Sequence, residues 1–262
     1  MKLGYAPSTA RILDLDEAFK LASDLELDFV ELSFDLHEMA PSLQDPARVR
    51  ELSAQTGVGT TVHLSFVDLN LASLMPAARE TAVARTLRGL DYAADVAATC
   101  GVLHSGMHYL DHPQANDWVQ DALADSLTRI AAHGGPTVAL ENLALGRFDL
   151  LRGPASLASV ANAHGLGTCL DVGHAHVEET RDGGQLIETY REMLDASLVH
   201  LHLHGNHGQH DEHLPVGEGT IDPERLQGVL AGFSGTACME ISGGAQAVRA
   251  ATHAVRALQE VA

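Results

Sequence analysis

Short apolar runs of β-strand character recur along the whole chain, and a stretch with helical apolar spacing follows each of them. The eight runs cover residues 3–6, 29–34, 60–65, 102–107, 137–142, 168–173, 198–204 and 237–242. The clearest helical stretches cover residues 15–25, 79–98 and 118–132. Strands that alternate with helices form parallel sheets covered by helices. Eight such units are typical of an α/β fold that closes into a single (β/α)8 TIM barrel.

The composition agrees with one large globular domain. The chain has 262 residues, of which 45% are hydrophobic and 19% charged, so it can bury a large core. No linker-like segment divides it, and we expect one domain over residues 1–262. The 35 acidic residues outnumber the 16 Lys and Arg and give a formal charge of −19. This balance argues against a protein that binds nucleic acid through a basic face.

Targeting and redox features predict a cytoplasmic protein. The sequence has no apolar signal-peptide segment and no run of about 18 apolar residues, so we expect no membrane span. Cys100, Cys169 and Cys238 are odd in number and far apart, which is typical of reduced, buried thiols in a reducing compartment. The sequence leaves the oligomeric state open.

Polar and apolar residues alternate towards the ends of the later strands. From Val199 to His204 the sequence reads VHLHLH, in strict alternation. Successive side chains of a strand point to opposite faces, so the apolar ones are expected to face the helices and the histidines the barrel axis. The same parity places Glu141, Asp171 and Glu240 on the inner face, near the ends of their strands. Barrel enzymes build their active sites at those ends.

Nine side chains of metal-ligand type are expected to meet at that end of the barrel. They are His63, His104, Glu141, Asp171, His174, His202, Asp211, His213 and Glu240. Five imidazoles and four carboxylates exceed what one divalent ion needs, so the set favours more than one ion, with Glu141 as a bridge. Mixed His, Asp and Glu ligation without thiolate suits divalent Zn, Mn, Fe or Co.

Other interpretations stay open for single residues. Taken alone, His63 is better explained as a hydrogen-bonded core histidine and Glu141 as a salt-bridge partner, and only the joint pattern favours a metal site. Four further histidines are not needed for the site and are better explained as barrel-interior or exposed loop residues: His200, His204, His207 and His210. His108 and His176 fit either residues that orient ligands or exposed positions. Glu31 fits either a substrate contact or barrel packing.

Several motifs together resemble one known family. The matching stretches are HLSF from His63, LNL from Leu69, HSG from His104, ALEN ending at Asn142, CLDVGHA from Cys169, VHLHL from Val199, DEHLPVGEGTID from Asp211, and ME at Met239 and Glu240. They cover essentially the whole chain. The sequence resembles the xylose isomerase-like TIM barrel superfamily (AP endonuclease family 2), and within it the endonuclease IV-like branch. It is also similar to the sugar phosphate isomerase and epimerase branch.

The two branches imply different numbers of metal ions. The endonuclease IV-like branch implies three ions, held by His63, His104 and Glu141, by Glu141, Asp171, His202 and Glu240, and by His174, Asp211 and His213. The isomerase and epimerase branch implies one ion, held by Glu141, Asp171, His202 and Glu240. In that branch the two glutamates are also the proton-transfer bases. We therefore expect one to three divalent ions per chain, with Zn or Mn as the favoured metals.

Two functions follow from the resemblance. The first is hydrolysis of a phosphoester, in which a metal-activated water attacks a small or nucleotide-like phosphorylated substrate. The alternative is a sugar or sugar-phosphate isomerase or epimerase, with one metal and with Glu141 and Glu240 as catalytic bases.

Two predicted loops favour a small substrate over duplex DNA. DNA-repair members of the family carry basic and aromatic insertions after the second and third strands. Here these loops read DLHEM over residues 35–39 and FVDLN over residues 66–70, without Lys or Arg. Abasic DNA is therefore the less favoured partner of the hydrolase hypothesis.

Overall fold

Eight parallel strands close into a barrel in the computed structural model, which describes residues 1–108, 110 and 112–260. The strands are β1 (Lys2–Tyr5), β2 (Phe29–Ser33), β3 (Gly59–His63), β4 (Cys100–His104), β5 (Thr137–Glu141), β6 (Gly167–Asp171), β7 (Leu198–Leu203) and β8 (Thr236–Met239). Each pairs with the next, and β1 pairs with β8 with Leu3 opposite Ala237 and Tyr5 opposite Met239. The predicted TIM barrel is thus confirmed.

Helices form the outer layer. The described residues contain α1 (Leu15–Asp24), α2 (Phe34–Met39), α3 (Pro46–Thr56), α4 (Pro76–Asp95), α5 (Pro113–His133), α6 (Gly153–His164), α7 (Val172–Asp182), α8 (Leu186–Leu194), α9 (Pro223–Leu230) and α10 (Gly244–Glu260). The sequence pattern predicts one helix after each strand. That prediction is wrong at two places, because α2 and α3 both follow β2, and α7 and α8 both follow β6.

The strands β2 and β6 end earlier than the apolar runs predicted, because a helix begins directly after each of them. Asp171 ends β6, and its Oδ1 accepts a hydrogen bond from the His174 backbone N at 2.6 Å. A side-chain oxygen in this position caps a helix, so Val172 and Gly173 lie in the first turn of α7 instead of in the strand. Ser33 caps α2 in the same way, through a 3.4 Å contact from the Leu36 backbone N to its Oγ.

The core lies between the barrel and its helices. The outward-facing Leu140, Leu170 and Leu201 are fully buried there, as the strand parity predicted. The three cysteines are buried and carry free thiols. In the part of the chain that the structure describes, no helix is both long enough and apolar enough to cross a membrane. The inner face of the barrel carries a small apolar cluster that includes Val102, Ala139 and Cys169, and polar residues at the carboxyl ends of the strands make up the site.

Candidate metal centre

The barrel brings all nine predicted ligand residues to the carboxyl ends of its strands. Four end the strands β3 to β6 (His63, His104, Glu141 and Asp171); the others are His202 in β7, His174 in the first turn of α7, Glu240 directly after β8, and Asp211 and His213 in the loop between β7 and α9. Because the strands are parallel and closed, these ends surround one cavity. The role of the nine residues as ligands remains a prediction, which the geometry below supports.

A first group of ligand atoms joins His63 and His104 to Glu141. His104 Nε2 lies 3.0 Å from Glu141 Oε2, and His63 Nε2 lies 3.6 Å from the same oxygen. Burial works against the charge of Glu141, but the charges of His202 and His104 outweigh it and hold the pKa of this carboxyl well below its usual range. Glu141 is therefore an ionised, buried acceptor.

A second group joins Glu141 to Asp171, His202 and Glu240, all of them buried. His202 Nδ1 lies 3.0 Å from Glu141 Oε1, 3.3 Å from Glu240 Oε2 and 3.7 Å from Asp171 Oδ2. Three carboxylates that converge in this way repel one another unless a positive charge lies between them. Glu141 contributes one oxygen to each of the two groups, in agreement with the predicted bridging role.

A third group surrounds Asp211. Its Oδ2 lies 3.3 Å from His174 Nε2 and 3.0 Å from His213 Nε2. His204, which sequence analysis did not include, also belongs here, because its Nε2 lies 3.4 Å from Asp211 Oδ1 and 3.2 Å from Asp171 Oδ1. Its ring stacks on that of His213 with a centroid distance of 4.4 Å. The signal that could have identified His204 is its parity, which matches that of His202.

Three of these histidines are oriented by the backbone. The contacts are His63 Nδ1 to Leu64 O at 2.9 Å, His174 Nδ1 to Asn142 O at 2.9 Å, and His213 Nδ1 to Glu240 O at 2.7 Å. A carbonyl oxygen only accepts, so Nδ1 carries the proton and Nε2 of the neutral ring presents a lone pair. In each ring that lone pair faces a carboxylate oxygen, which is also an acceptor. A cation between the two acceptors, or a second proton on the ring, satisfies both.

Without a metal ion, the second proton is the favoured solution. Burial opposes a charge on His63, but the nearby carboxylate of Glu141 outweighs it and raises the pKa of His63 to about 9. Burial likewise opposes a charge on His213, and the hydrogen bond with Asp211 and the charge of Glu240 raise its pKa to about 9. Both rings thus respond to a strong negative potential, which a divalent cation would also neutralise.

Two buried oxygens test whether a metal fits. Glu141 Oε2 and Asp171 Oδ2 have no hydrogen-bond partner among the residues that the structure describes. A buried carboxylate oxygen without a donor is costly, and both atoms point into groups of imidazole nitrogens. Imidazole nitrogens and carboxylate oxygens are the ligand atoms that divalent Zn or Mn binds in proteins. The residues present therefore fit a divalent metal ion.

A further polar layer lies beneath the second group. Glu31 is 1% exposed, and its Oε1 lies 3.0 Å from His202 Nε2. Its Oε2 accepts from Thr61 Oγ1 at 2.8 Å and lies 3.1 Å from His200 Nε2. Glu31 thus touches a candidate ligand inside the barrel, and it also lines a cavity next to the cluster, so barrel packing and a substrate contact both stay predictions.

The remaining histidines have other partners. His176 Nε2 lies 2.9 Å from Thr220 Oγ1, and His108 Nε2 lies 2.6 Å from Asn116 Oδ1. His207 contacts Glu212 in an exposed part of the β7–α9 loop. These contacts agree with the interpretation of His207 as a loop residue, and they give His108 and His176 polar neighbours of their own.

Two cavities open onto the cluster. The larger has a volume of about 460 Å³ and is lined by Glu141, Glu240 and His213 and by the loops after β1, β2 and β3. The smaller, of about 260 Å³, lies between the loops after β3, β4 and β5. Among the described residues, neither cavity is lined by Lys or Arg. The larger cavity is large enough to hold a small molecule, and the smaller one can hold part of one.

Relatives of the chain are found by sequence and by structure. Uncharacterized protein MJ1614 of Methanocaldococcus jannaschii is 29% identical over 229 residues, which cover 85% of this chain and 84% of that protein. A D-tagatose 3-epimerase-like protein superposes with a TM-score of 0.85 at 24% identity and covers 100% of this chain and 98% of its own. The TTHB071 protein of Thermus thermophilus, solved after soaking with ZnCl2, gives a TM-score of 0.75 at 25% identity, with 100% and 98% covered.

Other similar structures carry the descriptions of a sugar epimerase or a xylose isomerase. A protein-family model matches residues 19–261, which is nearly the whole chain. That family has the description xylose isomerase-like TIM barrel, in agreement with the closed barrel and with the resemblance found in the sequence. The chain therefore belongs to the xylose isomerase-like TIM barrel family.

Proposed function

We propose that the protein is a divalent-metal-dependent isomerase or epimerase that acts on a neutral polyhydroxy ketone, such as an unphosphorylated ketose. The observation that carries this proposal is the lining of the larger cavity. Among the described residues, it combines the carboxylates and imidazoles of the cluster with small and apolar side chains and contains no cationic side chain other than histidine.

The absence of Lys and Arg from this lining argues against a phosphorylated substrate. Proteins bind phosphate groups mainly through Arg, Lys and helix N-termini. Arg147 and Arg152 line a separate cavity that shares no residue with the larger one. Arg85, on the outside of the β2 and β3 loops, pairs with Asp35 and Glu38. The formal charge of −19 also repels a polyanion.

The second group of ligands is the one that this chemistry needs. Glu141, Asp171, His202 and Glu240 would hold the ion. When bound there, a divalent ion would act as a Lewis acid that polarises the substrate carbonyl and the neighbouring hydroxyl.

The two glutamates supply the proton transfer in this proposal. They belong to β5 and to the end of β8, three strands apart around the barrel, and both line the cavity. Glu141, which is ionised, takes the proton from the hydroxylated carbon beside the carbonyl, and the electron pair of the broken C–H bond moves to the carbonyl oxygen. Glu240, after taking up a proton from water, gives that proton to the opposite face of the carbon and so inverts it. Proton exchange with water then restores both carboxyl groups.

The comparisons favour this alternative over phosphoester hydrolysis, the first of the two hypotheses drawn from the sequence. The family is xylose isomerase-like, and the similar solved structures are mostly described as epimerases or isomerases. They share the barrel over essentially the full chain. A hydrolase of the endonuclease IV-like type would use ions in all three ligand groups, whereas the proposed reaction needs only the ion of the second group.

Solvent exchange tests the proposal directly. The protein is stripped with a chelator, reloaded with Mn2+ or Zn2+, and incubated in D2O with D-fructose or D-tagatose. Proton NMR then follows the loss of the signal from the proton on the carbon next to the carbonyl. Bis(4-nitrophenyl) phosphate and abasic duplex DNA are assayed with the same preparation. We expect metal-dependent exchange and no phosphodiester hydrolysis.

Two variants and one control identify the responsible groups. Glu141→Gln and Glu240→Gln are each expected to lower the exchange rate by about a hundredfold or more, the usual contribution of a general acid or base. Glu192→Gln, on the exposed side of α8, should leave it unchanged. Hydrolysis of the phosphodiester without any exchange would overturn the proposal and restore the hydrolase hypothesis.

A further inference from the structure

The smaller cavity of about 260 Å³ is an apolar extension of the site. It shares His104, His174, Asp211 and Phe66 with the larger cavity, so the two meet at the cluster. Its remaining walls are mostly apolar and come from Leu69, Leu71, Met107, Leu143 and Leu145. We call this space the apolar annexe.

Hydrogen bonds between loops keep the annexe open. Asn70, in the loop after β3, accepts from the Met107 backbone N at 3.1 Å and donates to the Met107 O at 2.9 Å. Met107 in turn forms a β-bridge with Asp149 in the loop after β5. Gly106 permits the close approach, because a Cβ there would lie 2.4 Å from Asn70 Oδ1 and its φ is +100°. The apolar walls are therefore fixed in place and are not a collapsed surface patch.

The annexe leaves apolar surface in contact with water beside a highly polar cluster. Phe66 is 44% exposed and Leu145 is 39% exposed, although both stand at the entrance to the site. Apolar surface of this kind is stabilised when an apolar group covers it. Apolar cavities of about 150 Å³ already hold benzene, so the annexe is large enough for a phenyl ring or a short alkyl chain.

From this continuity we infer that the substrate carries an apolar substituent. It is a polyhydroxy ketone with an alkyl or aryl group, whose oxygens face the metal cluster while the apolar group fills the annexe. This inference rests on the proposed function, because it takes the ketone as the part that meets Glu141 and Glu240. If the inference is correct, a ketose without an apolar substituent occupies only part of the site.

A matched pair of ligands tests it. The dissociation constants of D-fructose and 6-O-benzyl-D-fructose are measured by calorimetry with the Mn2+-loaded protein. The benzyl ether is expected to bind at least about tenfold more tightly, the effect that apolar groups typically have in a fitting pocket. Leu145→Gln should remove most of this advantage. Met193→Gln, similarly exposed on α8, should change neither affinity.

The outcomes separate the two proposals. Equal affinities for the pair, or an advantage that persists in full in Leu145→Gln, would overturn the apolar annexe as a substrate site. Deuterium exchange with both compounds at equal efficiency would leave the isomerase intact in that case. Tighter binding of the benzyl ether that depends on Leu145, with no exchange for either compound, would support the annexe and overturn the proposed reaction.

Discussion

Glu31 Oε1 lies 3.0 Å from His202 Nε2, on the side of the imidazole that faces away from the ligand cluster. When a metal ion is bound, a carboxylate in this position would accept a hydrogen bond from Nε2–H, and Nδ1 would offer its lone pair to the ion. This nitrogen is the one that faces Glu141 at 3.0 Å and Glu240 at 3.3 Å. His202 is thus oriented by a buried charge, whereas His63 and His213 are oriented by backbone carbonyls.

Glu31→Gln is expected to weaken metal binding about 10- to 100-fold, the usual effect of a lost partner behind a metal-binding histidine. The amide keeps the shape of the side chain but lacks the negative charge that makes the imidazole a better donor. Competition with a chelating dye measures the affinity for Mn2+ or Zn2+ independently of any enzymatic activity.

The matched control is Glu178→Gln, which changes another buried carboxyl group, one whose Oε2 accepts a hydrogen bond from Tyr190 Oη at 2.7 Å. It should leave the metal affinity as it is. Equal affinities of Glu31→Gln and the unchanged protein, or equal losses in both variants, would refute the role of Glu31. Thermal unfolding of both variants shows that they are folded.

Metal ions are expected to stabilise the protein against heat. The converging carboxylates of Glu141, Asp171 and Glu240 repel one another, and a bound cation removes this repulsion. At a free Mn2+ concentration of about 100 times Kd, binding adds about 2.7 kcal/mol to the free energy of unfolding. For a chain of this size that corresponds to a rise of about 5–10 °C in Tm.

Scanning calorimetry of the chelator-stripped protein, with and without Mn2+, measures this rise. The Glu240→Gln variant lacks one of the four ligands of the second group. At the same metal concentration its Tm should rise clearly less than that of the unchanged protein. Glu192→Gln should behave like the unchanged protein. An identical Tm with and without metal in every variant would contradict a metal site in this cluster.

The fold could be predicted from the sequence because the alternation of strand and helix patterns is regular. The ends of the elements could not. Val172 and Gly173 are apolar or small and look like strand residues, but the Asp171 carboxylate caps the backbone N of His174 and begins α7. A local hydrogen bond of this kind competes with the strand, and apolar spacing does not reveal it.

The residues of the site could be predicted from the sequence, but not all of their contacts could. Parity shows that Glu31 and His204 point inward, but it does not show at what depth they lie or what they meet. His204 meets Asp211 only because the β7–α9 loop folds back, with hydrogen bonds in both directions between Gly205 and Leu214. Such long-range contacts depend on loop geometry, which the periodicity of strands and helices does not encode.

His213→Ala separates the two hypotheses that the sequence raised. In the proposed isomerase the proton transfer belongs to Glu141 and Glu240, and His213 contacts the third group through Asp211 at 3.0 Å. We therefore expect the deuterium exchange rate to fall by less than about threefold, against a hundredfold or more in Glu240→Gln.

The metal content of the same variant, measured by elemental analysis, provides the second readout. If the third group holds an ion, His213→Ala should lose it and keep the ion of the second group. A loss of exchange in His213→Ala as large as that in Glu240→Gln would contradict the one-metal mechanism and favour one that needs all three groups.

Asp149 is expected to make the stability of the protein fall as the pH rises. Asp149 is 7% exposed, and burial raises the pKa of its carboxyl from 3.8 to about 7. The negative charge of Glu178 adds to this rise, whereas the hydrogen bond from the Leu145 backbone N and the charges of His174 and Arg181 oppose it. Between these two pKa values the folded protein holds a proton that the unfolded chain has released, so rising pH favours unfolding.

Asp149→Asn removes this titration and keeps an oxygen that can accept from the Leu145 backbone N, now 3.1 Å from Asp149 Oδ2. Between pH 5 and pH 8 the unchanged protein should lose about 2–3 kcal/mol of unfolding free energy relative to the variant. Urea unfolding at both pH values measures this difference. Glu80→Gln is the control, because the hydrogen bond from Arg129 lowers the pKa of Glu80 and keeps it ionised over this range. Parallel pH profiles for Asp149→Asn and the unchanged protein would show that Asp149 is already ionised in the folded state at pH 5.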